Sequence, residues 1–288
     1  MNVIKKALVF DEKVLVSVIV STDLCEKARK LHNLSHTATA ALGRTLTACA
    51  FMASELKGEN EKMSVTINGD GPLGKIIAAG NALGEIRGYV ENPFVELPLK
   101  ENGKLDVGGA VGTGRMSVCK DLALKEPYFA EIPLVSGEIA EDFSMYFYQS
   151  EQRPSAVALG VNLDKGKVTS AGGIIMRLMP DCPDEIITIV EDIATHFTHI
   201  SALLAEKSPD EILDFYFGHF DPEYLPEQTF DYKCNCSKSK IASLIKGIGK
   251  QDAFSLLDEN EGKISVHCDF CNKDYIFEKE DLNKIFNQ

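Results

Sequence analysis

The chain has 288 residues, of which 44% are hydrophobic, so about two domains with ordinary cores are expected. Its net charge of −13 is unevenly placed, because residues 180–231 carry 1 Lys or Arg against 13 Asp and Glu, whereas the flanking segments are close to neutral. No segment is basic enough to follow a phosphate backbone, which argues against specific nucleic-acid binding.

The most apolar long stretch, residues 38–56, contains Arg44 and several hydroxyl side chains, so it predicts a buried helix rather than a membrane span. Lysines within residues 1–10 do not fit a cleavable signal. We therefore expect a soluble, cytoplasmic protein without a membrane partner. In a reducing cytosol, paired cysteines favour metal binding or redox chemistry over a permanent disulfide framework.

Residues 1–179 combine helix and strand patterns. Helices are predicted for residues 22–32, 37–56 and 139–150. Apolar β-branched or alternating runs predict strands at residues 14–20, 62–68, 74–79, 85–90, 115–120, 156–162 and 168–178. Consecutive strands joined by short turns, such as one at Gly80-Asn81, indicate a largely antiparallel β-sheet core with packed helices, and hence an α+β fold.

Two glycine-rich motifs lie between these strands. Gly69-Asp-Gly71-Pro-Leu-Gly74 matches the dinucleotide fingerprint, but a strand-like run follows it where a phosphate-binding helix is required. We therefore interpret its glycines as turn residues. A nicotinamide-dependent oxidoreductase ranks last among three hypotheses for the function. Gly108-Gly-Ala-Val-Gly112-Thr-Gly114 lacks the Lys-Ser/Thr of a P-loop and predicts a flexible connection.

No catalytic residues are predicted, and we expect the protein not to be an enzyme. Ser35 and His36 are adjacent, but nothing else supports a Ser/His/Asp set. His196 and His199 are spaced to share a metal, yet histidines at such positions more often pack or lie at the surface.

Residues 180–231 change to a helical period. One face carries apolar residues, namely Ile186, Ile189, Val190, Ile193, Phe197 and Ile200. Ser208-Pro-Asp-Glu211 fits a capping box and precedes Ile212, Leu213, Phe215, Tyr216 and Phe217. Because like charges repel and an apolar face needs a partner surface, we expect this segment to dock only marginally on something else. An ordinary pair of acidic surface helices is the plainer alternative.

The last segment, residues 232–288, is small. It has a helix pattern at residues 241–248 and a hairpin pattern at residues 262–267 and 274–277. So few large apolar side chains cannot build much of a core, and a bound metal would have to supply the missing stability.

Four cysteines form two tight pairs in this segment, Cys234-Asn-Cys236 and Cys268-Asp-Phe-Cys271. Four thiolates that converge close a tetrahedral zinc site without any other ligand. Most sites of this kind are only structural, but the unusual one-residue spacer places two oxidisable sulfurs side by side. The remaining cysteines are scattered singly and are expected to be small buried hydrophobes: Cys25, Cys49, Cys119 and Cys182.

Five further motifs occur along nearly the whole chain: Ala41-Leu-Gly-Arg44, Ile67-Asn-Gly-Asp-Gly-Pro72, Gly84-Glu-Ile-Arg-Gly-Tyr89, Ser150-Glu-Gln-Arg-Pro-Ser155 and Ala171-Gly-Gly173. With these motifs and the two cysteine pairs, the chain resembles the redox-regulated heat-shock protein 33 chaperone family (33-kDa chaperonin).

The resemblance implies a stress-activated, ATP-independent holdase. Its zinc-bound reduced form is inactive, and oxidation joins Cys234–Cys236 and Cys268–Cys271, releases zinc and unfolds the small domain. The family pattern divides the chain into a core for client binding and dimerisation (residues 1–179), an acidic helical linker (180–231) and a zinc-binding redox-switch domain (232–288).

The partners implied are unfolded or misfolded client proteins and a second copy of the chain on activation. Loosening of the linker uncovers the candidates for client binding, which are Ile186, Ile193, Phe197, Phe215, Tyr216, Phe217 and Phe220. The second hypothesis, a zinc-ribbon adaptor for nucleic acid, predicts a basic face that the charge-neutral C-terminal segment does not offer.

Overall fold

The structure is a computed structural model that describes residues 1–286. The chain forms two compact units, Met1–Tyr232 and a second that begins at Lys233. Both combine helices with antiparallel strands, so the predicted α+β class is confirmed.

Within the described chain, two six-stranded sheets form the framework of the first unit. The strands are β1 Val3–Val9, β2 Val14–Val20, β3 Lys62–Gly69, β4 Lys75–Asn81, β5 Glu85–Val90, β6 Gly114–Asp121, β7 Tyr128–Pro133, β8 Ser155–Asp164, β9 Lys167–Leu178, β10 Glu223–Tyr224, β11 Gln228–Thr229 and β12 Asp231–Tyr232. We call the order β10-β1-β2-β9-β8 the first sheet, in which β11 also pairs with β1. The second sheet has the order β12-β5-β4-β3-β6-β7, and only its β12 and β5 pair in parallel.

The helices of this unit are α1 Thr22–His32, α2 His36–Ala53, α3 Val107–Val111, α4 Ala140–Gln149, α5 Asp184–Thr195, α6 Ile200–Glu206 and α7 Pro209–Phe217. Helix α2 is buried almost all round and contacts strands of both sheets. Its alanines and threonines let both sheets approach closely, while the hydroxyls of Thr45 and Thr47 donate back to the carbonyls of Ala41 and Gly43. The prediction of an alanine-rich core helix is confirmed, and no helix among the described residues is long and apolar enough to cross a membrane.

Residues 180–231, which we call the acidic segment, cover one face of the first sheet. Buried side chains of α5, α6 and α7 and of the turn after α5 contact apolar side chains of β1, β2 and β9 in one cluster: Ala7, Val9, Val14, Val16, Val18, Ile174, Met176, Val190, Phe197, Ile200, Ile212, Leu213 and Phe217. The apolar face of the segment thus has the partner surface that it requires. The predicted capping box is present, since Ser208 and Glu211 each accept a backbone N–H of the other.

Several local predictions were wrong. The expected flexible connection at residues 108–114 begins instead with α3, where the Asp106 carboxylate accepts the Gly109 N–H at 3.0 Å. Against this helix, a Cβ at Gly69 would lie 1.9 Å from the carbonyl oxygen of Val111, so this glycine serves close backbone approach. The turn expected at Gly80-Asn81 lies later, at residues 82–84, because β4 continues to Asn81.

Two strands of the core were missed. In β1, Lys5 and Lys6 interrupt the apolar run, although Lys6 is only 8% exposed and donates to the Ser54 hydroxyl. Strand β7 lies at a sheet edge and ends in Pro133, which weakens its pattern. The apolar face expected along residues 186–200 is also divided, since α5 ends at Thr195 and α6 begins at Ile200.

The second unit contains α8 Lys238–Ile248, α9 Lys250–Glu259, β13 Lys263–Cys268, β14 Lys273–Glu278 and α10 Lys279–Phe286. The predicted helix and hairpin are confirmed, whereas α9 and α10 were not predicted. Its buried apolar cluster in the described residues is small: Ile241, Ile245, Ala253, Leu257, Phe277 and Leu282. A core of this size supplies little stability by itself.

Candidate metal centre

The second cysteine pair lies on the turn of the β13–β14 hairpin. Cys268 ends β13, and its carbonyl accepts the N–H groups of Cys271 at 3.1 Å and Asn272 at 2.8 Å. Asn272 has φ +54°, a left-handed conformation that asparagine tolerates and that turns the chain back into β14. This turn brings the sulfurs of Cys268 and Cys271 to one side.

The first pair precedes α8. Ser237 caps that helix through the N–H of Lys240, and the ammonium of Lys240 donates to the carbonyl of Asn235 at 2.7 Å. These contacts fix the loop between Cys234 and Cys236.

The four sulfurs of Cys234, Cys236, Cys268 and Cys271 lie within 4.8 Å of one another. Two distances join the pairs: Cys234 Sγ is 3.8 Å from Cys268 Sγ, and Cys236 Sγ is 3.2 Å from Cys271 Sγ. With zinc–sulfur bonds of about 2.3 Å, the edge of a tetrahedron of sulfurs is about 3.8 Å, so the donor set fits zinc in number, chemistry and spacing. Since all four sulfurs are mutual neighbours, their positions do not by themselves select one pairing for a disulfide.

The thiols differ in acidity because their surroundings differ. Burial raises the pKa of Cys234 and of Cys271. Partial burial opposes ionisation of Cys236 as well, but hydrogen bonds from the Tyr275 hydroxyl, 3.0 Å away, and from neighbouring thiols outweigh it and lower the pKa of Cys236 to about 7. Binding of a cation by all four sulfurs therefore has to release protons.

The other cysteines lie apart from this cluster. Cys25 and Cys49 are buried as expected, and burial raises the pKa of each thiol to about 12, which makes them poor nucleophiles. Cys119 and Cys182 are only partly buried, so the expectation that all four scattered cysteines are buried was wrong for these two.

The remaining site candidates form no metal centre in the part of the chain that the structure describes, where the four cysteines are the metal-binding group found. His196 follows α5 and its ring lies 5.9 Å from that of Tyr216, while His199 precedes α6. The glycines of the dinucleotide-like motif lie at a strand end and turn, as interpreted from the sequence.

The seven candidates for client binding differ in burial. Phe197 and Phe217 are fully buried, and four more are partly buried against the same cluster: Ile186, Ile193, Tyr216 and Phe220. Phe215 is 66% exposed, so undocking of the segment would not uncover it. The sequence did not show which side chains lie beneath this segment, although β2, apolar except for Ser17, is typical of a strand covered on both faces.

Comparison with known proteins gives consistent matches over nearly the full length. A model of the family described as Hsp33 protein matches residues 2–278. The 33 kDa chaperonin of Caldanaerobacter subterraneus subsp. tengcongensis is 42% identical over 288 residues, which cover 99% of this chain and 98% of that protein. The 33 kDa chaperonin of Acetivibrio thermocellus is 44% identical over 268 residues, which cover 92% and 90% of the two chains.

A solved structure matches as well. The crystal structure of the 33 kDa chaperonin (heat shock protein 33 homologue) of Thermotoga maritima is similar with a TM-score of 0.90 and 36% sequence identity. The match covers 99% of this chain and 98% of that one.

Proposed function

The chain belongs to the Hsp33 protein family, and on that premise we propose that it is a redox-regulated, ATP-independent holdase whose switch is the four-cysteine cluster. The observation that carries the proposal is the convergence of Cys234, Cys236, Cys268 and Cys271 in a unit whose own apolar core is small. Without a cross-link at this point, so small a unit has little to hold it folded.

In the reduced protein the four thiolates would hold one zinc ion, which would cross-link the loop before α8 to the β13–β14 hairpin. Tyr275 hydrogen-bonds Cys236 and fixes the orientation of that sulfur. The role of the chain is to keep the four sulfurs together while leaving three of the four cysteine residues partly exposed to solvent.

Oxidation converts the four sulfurs into the disulfides Cys234–Cys236 and Cys268–Cys271. Each pair of thiolates gives up two electrons as its S–S bond forms, and one hydrogen peroxide accepts them, takes two protons from the solvent and becomes two water molecules. Disulfide sulfurs no longer bind the cation as thiolates do, so its binding energy, on the order of 10 kcal/mol, is lost to folding. The small unit then unfolds.

Residues 180–231 loosen next, because they are continuous with the small unit and carry 13 acidic residues against 1 basic residue. Their self-repulsion makes docking on the first sheet easy to reverse. When the segment leaves, apolar side chains of the segment and of the first sheet become exposed. They include Val14, Val16 and Val18 of β2, which are 0% exposed while the segment is docked. Such a surface binds the exposed apolar segments of unfolding clients.

The proposal is tested by counting zinc and free thiols during titration with peroxide, alongside light scattering of an aggregating client such as denatured citrate synthase. We expect loss of one zinc together with four thiols, in step with suppression of aggregation, and reversal of both by a dithiol reductant. Cys119→Ser, outside the cluster, should behave like the natural protein, whereas Cys268→Ser should not retain zinc. Client aggregation that is unchanged after complete loss of zinc and thiols contradicts the proposal.

A further inference from the structure

One segment of the first unit, residues 223–232, closes an edge of both sheets. It supplies β10 and β11, which pair with β1, and then β12, which pairs with β5. We call this segment the strap. The next residue along the chain, Lys233, begins the small unit, so the strap directly precedes the unit that contains the proposed switch.

The strap is held on β1 by backbone hydrogen bonds and by one ion pair, between Lys5 and Glu227 at 2.7 Å. The N–H of Leu225 donates to the carbonyl of Lys6 at 2.9 Å, and just before the strap the carbonyl of Phe220 accepts the N–H of Phe10 at 3.2 Å. Backbone groups alternate in direction along a strand, so the even-numbered residues of β1 face the strap and the odd-numbered ones face β2. Since most strap side chains here are exposed, the edge of β1 holds its occupant with little regard to sequence.

On β5 the strap adds side-chain anchors. The N–H of Asp231 donates to the carbonyl of Gly84 at 3.0 Å. Phe230 and Tyr232 are 7% and 4% exposed, while Asp231 between them points to solvent. The Tyr232 hydroxyl donates to the Gly88 carbonyl at 2.8 Å and accepts the Gly88 N–H at 3.4 Å. The hydroxyl thus pairs both backbone groups of Gly88, a residue of β5 that faces the strap. The β5 edge therefore fits an extended segment with large apolar side chains two residues apart.

We propose that, once the strap leaves, the edges of β1 and β5 bind extended segments of non-native polypeptide by β-strand addition. This rests on the proposed function, because the strap leaves only if the small unit and the acidic segment loosen. An uncovered edge is a template for pairing with another chain, and pairing through the backbone gives affinity without a defined sequence.

The strap itself indicates which occupant fits. It is a short, extended stretch with buried aromatic side chains at alternate positions, and unfolding proteins present such stretches in many sequences. Native proteins cover their own sheet edges and lack free extended backbone, so edge pairing discriminates against them. A second copy of the chain whose strap exchanges onto these edges is the competing occupant that the test has to distinguish.

The test is amide hydrogen exchange on the full-length oxidised, zinc-free protein, alone and with reduced, carboxymethylated α-lactalbumin as a permanently unfolded client. The informative amides are those of Lys6, Leu8, Ile86 and Gly88, with Val65 in the central strand β3 as the internal control. We expect the four edge amides to exchange about a hundredfold faster after activation and to slow again about tenfold with client, while Val65 stays protected throughout.

The outcomes separate the two proposals. If client aggregation is suppressed but the edge amides stay fast, holdase function stands and edge pairing is wrong. If the edge amides slow without client and in proportion to protein concentration, the occupant is a second copy. If no client is held at all, the proposed function fails, and this inference fails with it.

A matched pair of variants at one position isolates the backbone contribution. Leu8→Pro removes a single N–H that faces the strap and not β2, so it is tolerated once the strap has left, and Leu8→Ala removes the side chain but keeps that N–H. In the oxidised state we expect Leu8→Pro to weaken binding of the unfolded client about tenfold more than Leu8→Ala does. Equal binding by the two variants contradicts edge pairing, and the exchange experiment on the natural sequence does not depend on how either variant folds.

Discussion

At the scale of single residues, the first unit contains a buried charge that no local sequence pattern predicts. Arg177 is 1% exposed, and its guanidinium lies 5.0 and 4.9 Å from the ring centroids of Phe51 and Phe147. It pairs with Glu55 and, at 3.4 Å, with Glu151. In the sequence Arg177 is only one polar residue near the end of a strand, since its acidic partners and aromatic neighbours come from distant parts of the chain.

Glu26 gives a pH-dependent prediction at the same scale. Its carboxylate accepts both Nε and a terminal nitrogen of Arg29, at 2.7 and 2.8 Å, and the N–H of Val168 at 3.0 Å. The hydrogen bonds from Arg29 above all, with that from Val168, hold the pKa of Glu26 at about 2, below its unfolded value of about 4.3. The stabilisation is therefore complete above about pH 5 and disappears as the pH falls towards 2.

We expect Glu26→Gln to lower the free energy of unfolding of the first unit at pH 7 by about 1 kcal/mol, allowing for partial solvent screening. At pH 3 the difference from the natural protein should be smaller. Urea denaturation at both pH values measures this, with Glu59→Gln, an exposed acid, as the control. A difference that is the same at pH 3 and pH 7 would show that the carboxylate charge is not the cause.

At the scale of elements, the docking of the acidic segment is decided by which side chains of α7 face the sheet. Phe217 is 0% exposed and belongs to the cluster with β1, β2 and β9, whereas Phe215, two residues earlier, is 66% exposed. Sequence periodicity did not separate these two aromatics, because both lie in a run where apolar residues occur on several sides of the helix.

This pair provides a matched test of docking. Phe217→Ala removes a buried ring, which costs about 3–5 kcal/mol where the surroundings cannot collapse, and on the proposed function this cost should exceed what the docking of the segment tolerates. We expect limited proteolysis of the reduced protein to cut residues 180–231 faster in Phe217→Ala, with the sheets of the first unit still resistant. Phe215→Ala should be cut at the natural rate, and equal rates for the two variants would mean that this aromatic contact does not hold the segment.

At the scale of the whole molecule, the two units differ in what stabilises them. The first has extensive apolar clusters that include α2 and strands of both sheets. The described residues of the second have one cluster of six buried apolar residues and four cysteines whose sulfurs lie within 4.8 Å of one another. Apolar burial increases with domain size, so on the proposed function the smaller unit depends more on the zinc held by its cysteines.

Removal of metal from the reduced protein with a strong chelator should therefore unfold the second unit and leave the first folded. Two-dimensional NMR is the measurement: resonances of α8–α10 and of the β13–β14 hairpin should collapse towards random-coil positions, while those of α2 and β3 stay dispersed. Ile241→Val, which trims this unit's core but keeps the four cysteines, is the control and should give the dispersed spectrum with metal present. Dispersed resonances of the second unit after complete removal of metal would leave the proposed switch without a mechanism.

By itself, the sequence determined the features that depend on neighbouring residues. Alternation and helical period placed most strands and helices, the capping box placed the start of α7, and the two cysteine spacings identified the four residues that converge, because a short spacer constrains two side chains whatever the rest of the chain does.

Only the tertiary structure decided the features that depend on distant residues. It showed that the acidic segment covers the first sheet, that the strap closes edges of both sheets, that α3 requires glycine at residue 69 and that Arg177 packs against two phenylalanine rings. The physical reason is that burial and edge pairing are properties of two surfaces at once. The apolar pattern of one segment indicates that the segment packs against another surface. Which surface that is becomes fixed only when the whole chain packs.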